Sequence, residues 1–349
     1  MNKLIVRIVW GVVLFCVLVG GWFVYSEIYI SEAQLGVEKV VFEVKQDESV
    51  GELISRLESE QIIRNTWLFK KYIVLQGWDK KINYGEFEVE APITTSRVAK
   101  SLSQPGISEM VITIIPGWTI RDFAYYLENQ GIAQAEELTE LIGLPARNYK
   151  IVREKAPNID LDLPVLVDKP WYVSYEGYLA PETYRVYKNA TVGEIVKKLI
   201  EYRDSQITEQ MYKDIDRLGR TWFEVLTMAS ILEKEVNGLE DKKKVSDIFW
   251  RRYDMNWALQ ADSTVHYAVG KTGDVYTTQE DRDTNSPWNT YKYPGLPIGP
   301  ISNPSLESIE AAIYPDKNND WYFLTTVDGE VKYAETLEEH NQNKVDFLN

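Results

Sequence analysis

Hydrophobic positions are spaced in three ways along this chain, and each spacing predicts a different element. From Ile8 to Ser26 they run almost unbroken, IVWGVVLFCVLVGGWFVYS, nineteen residues without a charge. A helix of that length rises about 28 Å, close to the ~30 Å hydrocarbon layer of a bilayer. Lys3 and Arg7 precede the run, while Glu27, Glu32 and Glu38 follow it before Lys39. The bias of basic residues toward the cytoplasmic side places the N-terminus inside the cell membrane and the rest of the chain outside. The run exceeds the ~7–15 residues of a signal-peptide core. Tyr25, Ile28 and Tyr29 also stand where a cleavage site needs small residues. It reads as a retained single-pass anchor, with residues 1–7 a cytoplasmic tail, 8–26 the transmembrane helix, and Trp22 and Tyr25 at the outer interface.

Past the anchor, period-2 and helical spacing alternate. Val40–Ile63, VVFEVKQDESVGELISRLESEQII, opens as a strand, turns at Asp47-Glu48-Ser49, then sets Val50, Leu53, Ile54 and Leu57 on one helical face. Val111–Ile132, VITIIPGWTIRDFAYYLENQGI, repeats the order with Pro116-Gly117 as the turn, Thr119 as the cap, and Ile120, Phe123, Ala124 and Leu127 as the face. Val50 and Ile120 take matching places, an offset of 70 residues. Both stretches resemble the opening of LysM modules, small peptidoglycan-binding units that begin strand, Gly-Asp-Thr-like turn, helix. Asp47 stands where that turn normally has Gly, and Trp118 where it has an acid. The same order also serves purely structural ends.

Between these stretches, Tyr84-Gly85-Glu86-Phe87 predicts a strand, and Thr94–Leu102 a helix capped by Thr95 or Ser96. Residues 136–170, with prolines at 145, 157, 164 and 170, read as a loop-rich insertion. Val192–Tyr212 reads as one helix with Ile195, Leu199 and Ile200 inward. Thr221–Asn237, TWFEVLTMASILEKEVN, predicts a helix apolar around most of its circumference and stopped at Asn237-Gly238.

Composition narrows the function classes. The 349 residues are 44% apolar and 26% charged, a folding chain, and carry a net charge of −15. That charge argues against nucleic acid and against anionic membrane surfaces as partners. The single cysteine, Cys16, lies in the apolar run, so no internal disulfide or cysteine metal site can form. With only His266 and His340, no metal site is expected. Both histidines read as packed or surface residues. The 11 Trp and 22 Tyr chiefly pack a core, though rings also line sugar-binding clefts.

The helix over 221–237 carries two carboxylates near its end, Glu233 and Glu235. Helical spacing stacks Glu235 under Met228, Ile231 and Leu232, and Glu233 under Trp222, Leu226 and Ala229. Each is therefore placed near apolar surface, where a carboxyl keeps its proton more tightly, as a general acid at neutral pH must. Either could equally be solvated or paired with Lys234, Lys242 or Lys243. Spacing does not choose between them.

Four blocks resemble the endolytic murein transglycosylase family typified by MltG, also called YceG-like proteins. Glu176–Tyr184, EGYLAPETY, is similar to the family's EG-x-x-x-P-[DE]-TY; Ala229–Glu235, ASILEKE, to ASI-[IVL]-EKE. Leu259–Val265, LQADSTV, is similar to LQ-[TS]-D-P-TV. Ser286–Tyr291 with Gly295–Pro304, SPWNTY and GLPIGPISNP, is similar to SPYNTY…GLPPGPI-x-NP. Ala261, Ser263, Trp288 and Ile298 depart from the pattern, and none of them replaces the carboxylate. The resemblance implies an α+β chain: the anchor, a LysM-like domain over 37–105, and a YceG-like catalytic domain over 106–349. It implies cleavage of the MurNAc–GlcNAc β-1,4 bond with formation of 1,6-anhydroMurNAc ends, and assigns Glu235, the second Glu of the EKE block, as general acid and then base. Glu176, Gln260, Asp262, Asn289 and Tyr291 are candidates for substrate hydrogen bonds or for support behind the site. The structural alternative has Glu176 and Asp262 capping helices and Asn289 fixing the loop before Tyr291. No cofactor is implied. The partners implied are peptidoglycan strands and, by analogy, synthases of the elongation machinery. Two other readings stand beside this one: a muramidase, and a non-catalytic peptidoglycan-binding scaffold.

Overall fold

The apolar run becomes helix α1 (Lys3–Tyr29), whose Trp10–Tyr29 stretch is long and apolar enough to cross a membrane and is almost wholly exposed. The helix outlasts the expected 8–26 segment because its last turn is held by protein. Ile28 is buried, Glu27 pairs with Arg64 at 3.6 Å, and the Tyr29 ring meets Tyr72 edge-on at 6.0 Å. The computed structural model describes residues 3–33, 36–45, 48–80, 82–83, 85–104, 109–188, 190–271 and 277–348. Asp47 and Tyr84, named above, lie outside the described residues.

The chain forms two units, residues 1–110 with 187–189 and residues 111–186 with 190–349. The first holds α1, β1 (Lys39–Val44), α2 (Val50–Ser59), α3 (Thr66–Leu75), β2 (Gly85–Glu90) and α4 (Thr95–Leu102). β1 and β2 pair antiparallel with Phe42 opposite Phe87. Alternation turns Phe42, Val44, Phe87 and Val89 into a core shared with Leu53, Ile54 and Leu57 of α2. Ser49 and Glu52 close a capping box on α2. α4 is capped by Thr94, not by Thr95 or Ser96: Thr94 has the extended backbone of a cap, and Thr95 is already helical and buried.

β3 (Glu109–Thr113) pairs with β4 (Thr183–Tyr187), both strands lying mostly in the second unit, and there α5 (Ile120–Asn129) starts at a Thr119–Asp122 capping box. Its expected face, Ile120, Phe123, Ala124 and Leu127, is buried. The recurrence at 70 residues is thus one of local order: its two copies pair with different strands and fall in different units. The 136–170 stretch is less loop-like than its prolines suggest. It contains most of α6 (Ala135–Ile142), whose inward face is only Leu138 and Ile142, and α7 (Tyr149–Val152).

The helix expected over 192–212 is two, α8 (Val192–Gln206) and α9 (Glu209–Arg217). Ile207 is extended, and the Thr208 side chain then caps α9 through the Met211 amide. α10 (Trp222–Glu235) begins at a Thr221–Glu224 capping box and packs against α9, α11 (Leu239–Asp254), α12 (Asp262–Val269) and α14 (Leu306–Ile313). Val225, Leu226, Met228, Ile231 and Leu232 are completely buried, each stabilising the unit by about 1.5–3 kcal/mol. α10 ends at Glu235 because Val236 is extended, and Gly238, at φ 79°, opens α11. α13 (Gln279–Arg282), the hairpin β5 (Tyr322–Thr325) and β6 (Val331–Ala334), and α15 (Leu337–Phe347) complete a mixed α/β fold.

Candidate active site

Two residues apart at the end of α10, Glu233 and Glu235 meet opposite surroundings. Glu233 Oε2 accepts from the Ser305 amide at 2.8 Å, the Ser305 hydroxyl at 2.5 Å and the Ser308 hydroxyl at 2.7 Å. Its Oε1 lies 3.5 Å from Lys242 Nζ, which also pairs with Glu307 at 3.1 Å. Ser305 is the N-cap of α14, so this carboxylate answers the positive end of that helix. With its side chain 9% exposed and both oxygens engaged, Glu233 is a structural anion.

Glu235 instead lines a cleft of about 930 Å³ in the second unit. Its Oε1 accepts from the Ser263 hydroxyl at 2.5 Å and from the Ser263 amide at 3.4 Å. Desolvation raises its proton affinity above that of an ordinary carboxylate. The Ser263 hydrogen bonds oppose that rise, Asp262's negative charge adds to it, and Arg252 draws it back. Desolvation dominates, so Glu235 has the environment of a proton donor.

The cleft runs between the Ile115–Thr119 turn, α12, β5 and α15. Among the described residues its basic side chains, Lys234, Arg252, Lys271, Arg282 and Lys344, outnumber the acids Asp122, Glu235 and Asp262 in a chain whose net charge is −15. Trp118, Tyr267, Tyr291 and Tyr322 add ring surfaces of the kind sugars stack on. Arg252 is buried on α11, donates to the carbonyl oxygens of Leu259, at 2.7 Å, and Trp321, and so ties two walls together. His340 lies in the lining, stacked on Tyr322 with ring centres 5.2 Å apart. Burial pushes its pKa down to about 4, so it is neutral. His266 also lines the cleft, and its Nε2 is buried with no hydrogen-bond partner among the described residues.

The expected site residues divide into two groups. Asp262 opens α12, and its Oδ1 accepts from the Thr277 hydroxyl at 2.6 Å and the Tyr291 hydroxyl at 2.9 Å. Gln260 is exposed in the cleft at φ 57°, a left-handed conformation unusual for a residue with a side chain. The Thr290 carbonyl holds it there, accepting from the Gln260 amide at 3.2 Å. Glu235, Gln260, Asp262 and Tyr291 therefore share one cleft. Glu176 and Asn289 do not line it.

Glu176 is 2% exposed. It accepts from the Ile120 amide at 2.9 Å, from Asn303 Nδ2 at 3.1 Å and from the Tyr267 hydroxyl at 3.2 Å, capping α5 from 56 residues away. Burial pushes its carboxyl up to about 8. Asn289 Nδ2 donates to the Arg282 and Thr284 carbonyls at 2.8 and 2.9 Å, and its Oδ1 accepts from the Tyr291 amide at 3.0 Å. It shapes the loop that presents Tyr291.

Three contributors were not singled out by the sequence reading: Ser263, Arg252 and Asn303. Asn303 is fully buried. Its Oδ1 accepts from the Gly177 and Leu179 amides at 3.0 Å each, while its Nδ2 donates to the Trp118 carbonyl at 3.0 Å. It thus joins the EG block to the turn that forms one cleft wall. An amide side chain inside the GLPIGPISNP segment was the available signal. For Ser263 the signal was its departure from the family's proline.

Residues 42–346 match the model of the YceG-like family. This chain belongs to that family. Among its relatives is the endolytic murein transglycosylase of Streptococcus pneumoniae, 28% identical over an alignment of 351 positions that covers 95% of this chain and 63% of that protein. The chain thus spans less than two thirds of that relative's length. The endolytic murein transglycosylase of Bacillus subtilis is 28% identical over an alignment of 341 positions that covers 95% of this chain and 91% of that protein. A YceG-like protein of Listeria monocytogenes, solved at 2.6 Å, shares the fold with a TM-score of 0.56 and 29% identity, over 87% of this chain and 99% of that one.

Proposed function

We propose that this chain is a membrane-anchored endolytic lytic transglycosylase of peptidoglycan, acting on the β-1,4 bond between MurNAc and GlcNAc. The observation that carries the reading is the contrast at the end of α10: Glu233 is spent on α14, whereas Glu235 is a desolvated carboxyl in an open cleft. The relatives' shared name supplies the substrate class.

In this reading Glu235 gives its proton to the glycosidic oxygen as the C1–O bond breaks. The MurNAc 6-hydroxyl closes onto C1, and its proton returns to Glu235, leaving a 1,6-anhydro end. Proton and bond accounts close with one carboxyl and no water. Asp262, held by Thr277 and Tyr291, acts as a fixed negative charge that keeps the Glu235 proton in place. Gln260 offers its exposed amide to the sugar, and the basic lining suits the carboxylates of muramyl groups and stem peptides. Glu176 and Asn289 act behind the walls. α1 anchors the chain with its N-terminus in the cytoplasm, so nascent strands near the membrane are within reach, alongside the synthases that make them. The LysM-like assignment rests on strand–turn–helix order and would make residues 37–105 a wall-binding element.

The test is digestion of purified peptidoglycan by the wild type and by Glu235→Gln, with mass spectrometry of the product ends. Anhydro ends from the wild type and none from the variant are expected. Reducing ends would mean a hydrolase. Equal release by both proteins would remove Glu235 from the mechanism, and no release by either would favour the scaffold reading.

A further inference from the structure

α12 lacks a cap of its own. The residue before it, Ala261, has no side chain that can accept a hydrogen bond, and among the described residues no side-chain cap is made there. The place is taken by Glu235 from the end of α10. Its Oε1 receives the amide of Ser263, in the first turn of α12, at 3.4 Å and the Ser263 hydroxyl at 2.5 Å. The two donors are not equivalent. A backbone N–H can only donate, to a carboxylate or to the carbonyl oxygen of a carboxylic acid, whereas a hydroxyl donates to a carboxylate and can also accept the proton of a carboxylic acid.

We propose that Ser263 is the positioning residue of the reaction, its hydroxyl holding the Glu235 carboxyl in one place through both protonation states. This rests on Glu235 being the proton-transferring group. An acid that must donate to one oxygen and then collect a proton from another loses rate if it turns away between the steps. A partner that reverses its hydrogen bond as the proton leaves prevents that turn. The family pattern has proline at this position, which offers neither hydroxyl nor amide hydrogen, so the device belongs to this chain and is absent from relatives that keep the proline.

The charged and titratable groups facing Glu235 are Arg252 on α11, Asp262 on α12 and Tyr291 on the loop after α13, with His340 on α15 in the same lining. None of them changes when Ser263 is substituted. Asp262 keeps its Thr277 and Tyr291 partners, because neither bond passes through Ser263.

The experiment compares the wild type with Ser263→Ala, Ser263→Thr and Ser263→Pro. Proline is sterically acceptable in a first helical turn, so the last variant folds even if alanine leaves a defect. Two measurements are made on each protein: the pH profile of kcat/KM, and the titration of the Glu235 carboxyl by isotope-edited infrared difference spectra against Glu235→Gln. The Ser263 hydrogen bonds favour the ionised form. Removing the hydroxyl therefore moves the limb along which activity falls with rising pH to higher pH, and the carboxyl titration moves with it. Proline, which also removes the amide donor, moves both further. At the optimum, kcat of Ser263→Ala falls roughly tenfold, the rate equivalent of one charge-assisted hydrogen bond. Threonine restores the wild-type limb. A limb and a titration that stay in place in Ser263→Ala and Ser263→Pro, with Glu235→Gln inactive, would overturn the Ser263 proposal alone. Full activity in Glu235→Gln would overturn the function reading. The infrared titration would then still show whether Ser263 controls the carboxyl.

Discussion

Glu233 accepts the Ser305 amide at 2.8 Å, so the end of α10 caps the start of α14 across 72 residues of chain. The other oxygen of the same carboxylate pairs at 3.5 Å with Lys242, whose side chain is only 6% exposed. Replacing Glu233 by alanine takes the acceptor from three donors, the Ser305 amide and the Ser305 and Ser308 hydroxyls, and leaves a buried ammonium with Glu307 as its remaining ion-pair partner among the described residues. Loss of one partner of such a buried pair costs about 3 kcal/mol. Glu233→Ala is expected to lower the unfolding free energy by that amount, read as a lower urea midpoint, while kcat per folded molecule is preserved. A variant that keeps its midpoint but loses turnover would exchange the roles of the two carboxylates.

Glu235→Gln should show the opposite balance. Removing a general acid costs roughly 10²–10⁴-fold in rate. Stability should hold or rise, because the amide oxygen can still accept from Ser263 while no charge is desolvated. The sign follows from the raised proton affinity: Glu235 stabilises the fold most when protonated and loses that contribution as pH rises through its folded pKa. Thermal melts of both proteins at pH 5 and pH 8 check this. The gap between them should widen toward pH 8 in favour of the glutamine.

Glu176 gives a pH dependence with a named window. Its carboxyl titrates at about 8 in the fold against 4.5 in the unfolded chain. Below pH 4.5 both states hold the proton and the contribution is complete. As pH rises toward 8 only the unfolded chain releases it, and stability declines by about 5 kcal/mol over the window. Glu176→Gln should flatten this slope, at the cost of a weaker cap on α5 at every pH. Urea titrations at half-unit pH steps would reveal it. Parallel slopes for the two proteins would mean that Glu176 stays ionised.

How far the chain could be read without coordinates depends on how local each feature is. Capping residues and helix faces obey short-range rules, so Ser49 and Thr119 and the faces they start were legible, whereas Thr221, read as the first helical residue, is the cap before it. The break at Ile207 was not legible, because 192–206 and 209–217 are both good helical sequence and only two extended residues, Ile207 and Thr208, separate them. The choice between Glu233 and Glu235 was closed to periodicity for a different reason. Their surroundings come from residues 263 and 305, and nothing within α10 reports on either. Family resemblance had selected Glu235, and the hydrogen-bond partners supply a physical ground for that choice. Glu176 and Asn289 were visible as polar residues inside recurring blocks, but whether such a residue faces a ligand or a backbone is a matter of tertiary packing.

Gly177 tests the junction between the first and last blocks. At φ 90° it occupies a conformation that costs any other residue, and a Cβ there would lie 2.8 Å from Pro300 Cβ and Cγ and 3.3 Å from Leu226 Cδ2. Backbone strain and overpacking together should cost Gly177→Ala about 3 kcal/mol or more. The loss would appear as a lower melting temperature, with a loss of activity wherever Trp118 and Glu176 shift. Wild-type melting would show that the Pro300 segment can move aside.

Two truncations separate anchoring from folding. Ile28 is part of the first unit's core and Glu27 pairs with Arg64, so the last turn of α1 belongs to the globular unit although its apolar face continues the membrane run. Deleting residues 1–26 removes most of the exposed apolar helix but keeps these contacts. That protein should leave the membrane fraction on lysis and melt like the detergent-solubilised full chain. Deleting residues 1–30 also removes the buried Ile28 and the ring contact between the half-exposed Tyr29 and Tyr72, and should lower the first unit's stability by about 2–4 kcal/mol, as loss of a buried aliphatic side chain does. Fractionation of the first deletion decides the anchor, since continued sedimentation with membranes would place the membrane contact elsewhere in the chain. The melting difference between the two deletions decides whether α1 and the first unit are one rigid piece, as the Tyr29–Tyr72 ring contact at 6.0 Å and the buried Ile28 require.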